Sequence, residues 1–121
     1  MTPNAAQPRL VDRPWPVEIK LKKSERILWI AFNDGLAFSL GAELLRVYSP
    51  SAEAEQIAGG KKYVAITQLE PVGNYALRPI FDDGHTTGIY TWDYLYELGA
   101  NAASKWREYE EKLAASKLSR E

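Results

Sequence analysis

The sequence predicts an α+β domain, a small antiparallel, partly curled sheet of five to six strands with short helices and a longer C-terminal helix. Three observations predict it. Residues 17–22 alternate apolar and charged side chains, which is the period of a half-buried strand. Asp-Gly pairs at 34–35 and 83–84 follow apolar runs, and this dipeptide favours tight turns between antiparallel strands. Apolar residues after residue 101 recur at helical spacing.

Length and composition indicate one domain without cysteine chemistry. The 121 residues are enough for one core, and the lack of cysteine excludes disulfides, a thiolate nucleophile and a cysteine-based metal site. The net charge is −1, so no nucleic-acid partner is expected. Since the sequence has neither an apolar run of membrane-spanning length nor an apolar leader, we expect no membrane partner and a cytoplasmic location.

Six strands are predicted from apolar, β-branched and aromatic runs. They cover residues 17–22, 27–32, 36–40, 63–69, 75–81 and 86–90, with a turn at 71–74. In the first strand, Val17, Ile19 and Leu21 are expected to point inward. Pro79 cannot donate to a ladder, so the fifth strand is expected at an edge or with the backbone nitrogen of this residue pointing outward. The prolines of residues 1–14 predict a flexible lead-in.

Helical segments are predicted between and after the strands. They cover residues 41–48, a turn at 49–57, residues 92–98 and residues 102–118. Thr91 and Asn101 are the expected N-caps of the last two, and Gly99 is expected to end the first of these. The C-terminal helix, assigned to residues 100–121, has a narrow apolar seam of Ala102, Trp106, Tyr109 and Leu113. The seam either lies on the sheet, which we favour, or pairs with a second copy.

The stretch 81–92 holds the only histidine, beside two carboxylates. His85 with Asp82 and Asp83 could shuttle a proton or bind a metal ion, since imidazole titrates near neutrality and carboxylates bind hard cations. The favoured interpretation is structural: Asp83-Gly84 forms a turn and His85 belongs to it. A metal site usually needs three or four protein ligands, which favours this structural interpretation.

Two further sets of side chains admit a functional interpretation. Ser49 and Ser51 could act as nucleophiles, but a hydrolase is not expected, because His85 is the only available base and helix capping explains both serines. Four aromatic residues, Tyr90, Trp92, Tyr94 and Tyr96, could line a ligand groove. Aromatic residues at helical spacing belong more often to the core.

Several spaced motifs resemble those of one family. They are Ile30-x-x-x-Asp34-Gly35, Leu45-Arg46-x-x-Ser49-Pro50-Ser51-Ala52-Glu53, Val72-Gly73-Asn74-Tyr75-Ala76-Leu77 and Phe81-x-Asp83-Gly84-His85-x-x-Gly88-Ile89-Tyr90-x-Trp92-x-x-Leu95. Together they are similar to the DUF971 family, the γ-butyrobetaine-hydroxylase-like N-terminal domain. The resemblance covers residues 15–99, so the C-terminal helix lies outside it.

The resemblance implies a small zinc-bound module whose ligands are replaced in this sequence. In the family, a Cys-x-Cys-x-x-Cys cluster and the histidine of the Asp-Gly-His motif hold the ion. The corresponding residues here are Ser49, Ser51, Ala54 and His85, so zinc binding is not expected. In eukaryotic members the domain precedes an iron- and 2-oxoglutarate-dependent oxygenase barrel. Nothing in these residues corresponds to that barrel, so hydroxylase activity is not expected.

These observations lead to one hypothesis and two alternatives. The leading hypothesis is a non-enzymatic binding or accessory module, a monomer or weak homodimer, whose partner is a protein; the resemblance suggests an iron–sulfur carrier or an oxygenase. Its expected contact surface consists of Arg46, Asp82, Asp83, His85, Tyr90 and Trp92. The first alternative is iron or iron–sulfur-cluster handling, with His85 and Asp83 as ligands, supported by Asp82 and Glu53. The second is a groove beside Trp92 for a trimethylammonium compound.

Overall fold

The structure, a computed structural model, describes residues 13–51 and 59–121. Within these ranges the elements are β1 (Pro16–Lys22), a 3₁₀ turn (Lys23–Glu25), β2 (Ile27–Phe32), β3 (Ala37–Gly41), α1 (Ala42–Val47), β4 (Ile66–Val72), β5 (Ala76–Phe81), β6 (Tyr90–Thr91), α2 (Trp92–Ala100) and α3 (Ala102–Ala115). The predicted α+β class is confirmed. Its antiparallel strands form two three-stranded sheets, β1-β2-β3 and β4-β5-β6, rather than one sheet. Residues 1–12 of the predicted lead-in and residues 52–57 of the predicted helical turn lie outside the described residues.

The first sheet is a meander built on the Asp34-Gly35 turn. β2 pairs with β1 on one side and with β3 on the other. Gly35 has a φ of +90°, which a side chain would strain, and the Leu36 N–H donates to Asp34 Oδ1 at 2.9 Å. The predicted hairpin is confirmed.

The start of β1 departs from the predicted alternation. Ile19 and Leu21 are half-buried against the core, as expected. Val17, which was expected to point inward, is exposed, because the pairing with β2 shifts between Pro16 and Glu18. A β-bulge of this kind places one extra residue in the strand and changes which side chains face the core.

The second sheet accommodates two prolines within its strands. Pro71 lies in β4, an edge strand with one side free of a ladder, so β4 continues to Val72 through residues expected to form a turn. Pro79 lies in β5, whose pairing with β6 reaches only Ala76 and Leu77, so β5 is locally an edge at Pro79. This agrees with the prediction for Pro79. The predicted strand at 86–90 is reduced to Tyr90–Thr91.

Helix α2 begins as predicted and ends later. The Thr91 Oγ1 accepts from the Tyr94 N–H at 3.2 Å, which is an N-cap interaction. Gly99 lies inside α2 rather than ending it. A Cβ built on Gly99 would lie 2.3 Å from Phe38 Cγ, so the glycine is explained by the close approach of the Phe38 ring and not by a helix stop.

Helix α3 packs within its own domain. Of its apolar seam, Tyr109 and Leu113 are buried, and the helix packs mainly against α1 and α2. Asn101 does not cap α3 through its side chain. Its Nδ2 donates instead to the Glu97 carbonyl at 2.9 Å and closes the end of α2.

The residues after α3 fold back and are anchored by a buried carboxylate. α3 ends at Ala115, and Lys117, with a φ of +58°, reverses the chain. Residues 118–121 then run beside residues 60–62, where the Lys62 N–H donates to the Arg120 carbonyl at 2.9 Å. The Arg120 guanidinium donates twice to Glu43, at 2.9 Å for each bond, and the Tyr109 hydroxyl donates to the same carboxylate at 2.7 Å.

The core combines buried residues from both sheets with residues of α1 and α2. Its buried members include Leu28, Ile30, Phe32, Leu40, Leu45, Ile66, Leu77, Phe81, Tyr90, Leu95 and Leu98. Among the helices of the described ranges, none has the length and apolar composition needed to cross a bilayer. The loops that join β5 to β6 and α1 to β4 meet at one side of this core, and they carry the residues singled out by the sequence.

Candidate binding site around His85 and Trp92

The turn after β5 places His85 in the interior. Gly84 has a φ of +91° and donates its N–H to the Phe81 carbonyl at 3.2 Å. Asp83 Oδ1 accepts from the His85 N–H at 3.1 Å, which is an Asx-type turn. The predicted turn is confirmed. Only 7% of the His85 surface is exposed, so the imidazole faces the protein interior rather than solvent.

His85 and Ser49 join two loops that are 36 residues apart in the chain. The His85 Nε2 lies 2.9 Å from the buried Ser49 Oγ, within hydrogen-bond distance. Beside this pair, Ser51 Oγ and Thr87 Oγ1 form a second hydrogen bond at 2.8 Å. We refer to Ser49, Ser51, His85 and Thr87 as the hydroxyl–imidazole clamp. The clamp holds the start of the loop that follows α1 against the loop that precedes β6.

Gly88 makes the close contact in the clamp possible. A Cβ built on Gly88 would lie 2.3 Å from Ser49 Oγ and 3.1 Å from Tyr90 Cε1. A side chain at this position would therefore displace the Ser49 hydroxyl. Tyr90, a predicted contact residue, is fully buried beside it and donates its hydroxyl proton to the Leu45 carbonyl. Burial raises the pKa of Tyr90. Tyr90 is therefore a core residue that no partner can reach.

Arg46 and Asp83 form an ion pair that also includes Lys61. The Asp83 Oδ2 accepts from Arg46 Nε at 2.8 Å and from Lys61 Nζ at 2.6 Å. Burial acts to raise the pKa of Asp83, but hydrogen bonds from Lys61, from the His85 N–H and from Arg46 outweigh it and hold the pKa at about 2. The carboxylate is thus ionised and neutralised by its own neighbours.

This pairing predicts a pH-dependent contribution to stability. Because the pKa of Asp83 is about 2 in the folded state and about 4 when unfolded, its contribution is fully present above pH ~4 and is lost as the pH falls towards ~2. Asp83→Asn should therefore be less stable than the wild type at pH 7, with a difference that shrinks below pH ~4. Urea unfolding of both proteins at several pH values from about 2 to 7 measures the stability difference. A difference independent of pH would contradict the assignment.

Asp82 has a separate role from Asp83. Its Oδ1 accepts from the Ala65 N–H at 3.0 Å, and its own N–H donates to the Ala65 carbonyl at 2.9 Å. The exposed Asp82 side chain therefore continues the pairing of β4 and β5 beyond Phe81. The structure brings Arg46, Asp83 and His85 together with Ser49, while Asp82 lies at the sheet end.

The donors at the clamp do not match the zinc ligands that the resemblance implies. Ser49 and Ser51 offer neutral hydroxyls, His85 one imidazole, and Ala54, which is outside the described residues, has no donor atom. Zinc in structural sites takes thiolate and imidazole ligands, so these residues do not fit zinc. Within residues 13–51 and 59–121, no three His, Asp or Glu side chains are grouped so that they could hold a metal ion. Iron binding by His85 and Asp83 stays a prediction.

Trp92 lies away from His85, in a cleft lined by aromatic rings. The Trp92 Nε1 donates to the Asn74 carbonyl at 2.9 Å, which fixes the ring at the start of α2. The Trp15 ring meets it edge-on, with centroids 6.3 Å apart. Tyr75 completes the lining, and the cleft has a volume of about 550 Å³. We refer to the cleft between Trp15, Tyr75 and Trp92 as the aromatic cleft. Asp93 lies at its rim.

The rings of the aromatic cleft are exposed but held in place. Trp15 is 50% and Tyr75 53% exposed. Asn33 forms three hydrogen bonds with the backbone around Trp15. The Trp15 N–H donates to Asn33 Oδ1 at 3.2 Å, and the Asn33 N–H donates to the Trp15 carbonyl at 2.9 Å. The Asn33 Nδ2 donates to the Arg13 carbonyl at 3.1 Å. The sequence did not predict Trp15 and Tyr75 as site residues. Their position in loops, outside any periodic apolar face, is the signal that could have found them.

The chain is similar to one family model and to several solved structures. Residues 19–96, more than half of the chain, match the family model "Gamma-butyrobetaine hydroxylase-like, N-terminal". An NMR solution structure has a TM-score of 0.81 at 40% identity, covering 89% of this chain and 90% of its own. Another has a TM-score of 0.80 at 45% identity, covering 99% and 90%. No protein of curated function matches.

A crystal structure adds a protein that carries the family designation. It is a protein of unknown function from the DUF971 family of Acidithiobacillus ferrooxidans ATCC 23270, with a TM-score of 0.64 at 42% identity. The match covers 70% of this chain and 92% of that one. The fold is therefore shared with a protein that is itself described as having unknown function.

Proposed function

This chain belongs to the γ-butyrobetaine-hydroxylase-like N-terminal family, or DUF971, and we propose that it is a non-enzymatic binding module that recognises a protein partner. The observation that carries the proposal is the aromatic cleft, in which Trp15 and Tyr75 are half-exposed beside Trp92. Large aromatic side chains bury much area at a low entropic cost, and they are enriched where proteins bind each other.

The rigidity of the cleft supports a binding role. An exposed tryptophan on a mobile loop would have to be ordered on association, at a cost of about 0.5–1.5 kcal/mol for each immobilised side chain. Here Asn33 fixes the backbone at Trp15, and the Asn74 carbonyl fixes the indole of Trp92. The Trp15 backbone and the Trp92 ring are thus positioned before a partner arrives.

The burial of Ser49 and His85 supports the non-enzymatic part of the proposal. Ser49 and His85 are the nucleophile and base that a hydrolase would use, yet both are buried and bonded to each other across two loops. A substrate would have to displace packed residues to reach them. The clamp, with Arg46 and Asp83, is better suited to holding the fold, and the contact surface shifts from the predicted set to the neighbourhood of Trp92.

The proposal predicts that partner recovery depends on the cleft. The protein is immobilised, exposed to native lysate, and the recovered proteins are quantified by mass spectrometry. The double variant Trp15→Ala/Tyr75→Ala should lose a specific partner by roughly 30-fold or more, the equivalent of about 2 kcal/mol expected of central aromatic anchors.

Tyr63 provides the matched control. It is 62% exposed and does not line the aromatic cleft, so Tyr63→Ala removes an equally exposed ring elsewhere and should recover the partner as the wild type does. Equal recovery by the wild type and the double variant would show that the cleft is not the contact surface. The absence of any reproducible partner would count against the binding function itself.

A further inference from the structure

We infer that the aromatic cleft binds an arginine side chain presented by an extended segment of the partner protein. This inference rests on the proposed function and specifies the chemistry of the partner. Three features of the cleft lead to it: ring faces that attract cations, a carboxylate at the rim, and hydrogen-bond donors that are already committed.

The ring faces select a cation. Trp15 and Trp92 meet at an interplanar angle of 69°, so their faces enclose a corner. A guanidinium group over the face of tryptophan is attracted by the ring quadrupole, and its planar shape also stacks on the ring. This chain uses the same contact elsewhere, because the Arg120 guanidinium lies 5.0 Å from the Trp106 ring centroid and Lys20 Nζ lies 5.1 Å from that of Trp29.

The charges at the rim also favour a cation. The Asp93 side chain is 60% exposed, and α2 carries Asp93 and Glu97 but no basic residue. Arg13 is the one basic residue among the described residues that line the cleft. Its Nη2 reaches Asp93 Oδ2 at 3.3 Å, and this exposed pair is weak. Arg13 shows that a guanidinium can approach Asp93, and an incoming arginine would replace it there.

Two hydrogen-bond donors of the cleft are used within the protein. The Trp92 Nε1 donates to the Asn74 carbonyl, and the Asn33 Nδ2 donates to the Arg13 carbonyl. An anionic ligand such as a phosphate or a carboxylate would have to displace a carbonyl acceptor to use either of these bonds. A cation needs no donor, because the ring faces and Asp93 both present negative potential.

The extent of the cleft favours a peptide over a small free cation. Its volume of about 550 Å³ exceeds what one cationic head group fills, and it reaches Asn74 and Tyr75 in the turn after β4. A guanidinium at the Trp15–Trp92 corner leaves room for neighbouring residues of an extended segment at Tyr75. Single cation–π and exposed ion-pair contacts are each weak, so the segment gains affinity from several contacts.

The test uses the full chain and a defined probe peptide. Acetyl-Gly-Gly-Arg-Gly-Gly-amide is titrated into ¹⁵N-labelled protein while the indole N–H signals of the four tryptophans are followed. We expect saturable shifts of the Trp15 and Trp92 signals, while Trp29 and Trp106 serve as internal controls and stay unchanged. The same peptide with citrulline in place of arginine, which has the same shape without the charge, should shift the signals at least tenfold more weakly.

Variants separate the contributions of the ring and the carboxylate. Trp15→Ala should weaken binding of the arginine peptide at least tenfold, and Asp93→Asn about fivefold. Glu111→Gln on α3 changes the net charge equally and should leave binding unchanged. Absent shifts, or equal shifts with the citrulline peptide, would overturn the arginine assignment.

The outcomes distinguish this inference from the proposed function. If partner recovery depends on the cleft but the arginine peptide does not bind, the binding module stands and its ligand chemistry is wrong. If the peptide binds as described but the wild type and Trp15→Ala/Tyr75→Ala recover the partner equally, the proposed contact surface is wrong. Tetramethylammonium chloride is the third arm: if it shifts the Trp15 and Trp92 signals at the same concentration as the peptide, the cleft is a free-cation site and the peptide assignment is overturned.

Discussion

Gly88→Ala is expected to destabilise the domain by about 2–4 kcal/mol, the sum of overpacking and a lost buried hydrogen bond. The added Cβ would stand 2.3 Å from Ser49 Oγ, so the serine hydroxyl must move away from His85. Both side chains are buried, and water cannot readily replace the lost partner. Urea unfolding followed by circular dichroism measures the effect.

Two further variants show whether the clash with Ser49 is the cause. Gly41→Ala adds the same methyl group where nothing lies within 4 Å of it, and should cost less than about 1 kcal/mol. Ser49→Ala removes the hydroxyl with which the new methyl group collides. The double variant Ser49→Ala/Gly88→Ala should therefore lose less stability than the two single variants added together. Strict additivity would contradict a contact between Gly88 and Ser49.

The features that the sequence predicted correctly are those set by a few neighbouring residues. The turns at Asp34-Gly35 and Asp83-Gly84 and the N-cap at Thr91 depend on backbone conformation and hydrogen bonds within four residues. The prediction for Pro79 likewise follows from its missing N–H. Such local rules do not require knowledge of which segments meet in space.

The features that the sequence failed to predict depend on distant contacts. Gly99 was predicted to end a helix, but it is explained by its close contact with the ring of Phe38, which lies 61 positions away in the chain. The division into two sheets depends on which strands pair, and local periodicity does not contain that information. Tyr90, which is included in the expected contact surface, is fully buried, and its hydroxyl donates to the carbonyl of the distant Leu45.

The candidate site shows the same distinction. The sequence motifs group Arg46, Asp83 and His85, and these residues do lie together with Ser49. The motif spacing indicates which residues belong to one site, but it does not predict the hydrogen bonds and ion pairs between them. The aromatic cleft was missed because Trp15 and Tyr75 come from loops 60 positions apart. No periodic pattern connects them.

Replacing Glu43 should release the segment after α3 from the domain. The carboxylate is buried and accepts from Tyr109 and twice from Arg120. Glu43→Ala leaves the Tyr109 hydroxyl and the guanidinium without their acceptor and should cost about 3 kcal/mol, the lower end for a broken buried pair, because Arg120 can still reach water. Glu43→Gln keeps one acceptor oxygen and should cost about half as much.

The location of the effect distinguishes an anchor from a general core residue. The Gly60 N–H donates to the Ser119 carbonyl and the Lys62 N–H to the Arg120 carbonyl, both at 2.9 Å. If Glu43 anchors the segment, hydrogen exchange at Gly60 and Lys62 should become faster in Glu43→Gln, while amides of β2 keep their protection. Glu121→Gln, which alters only an exposed pair with Lys62, is the control and should leave both amides protected. Uniformly faster exchange across β2 would instead mean that Glu43 stabilises the whole core, and the segment after α3 would then follow the fold rather than depend on this one carboxylate.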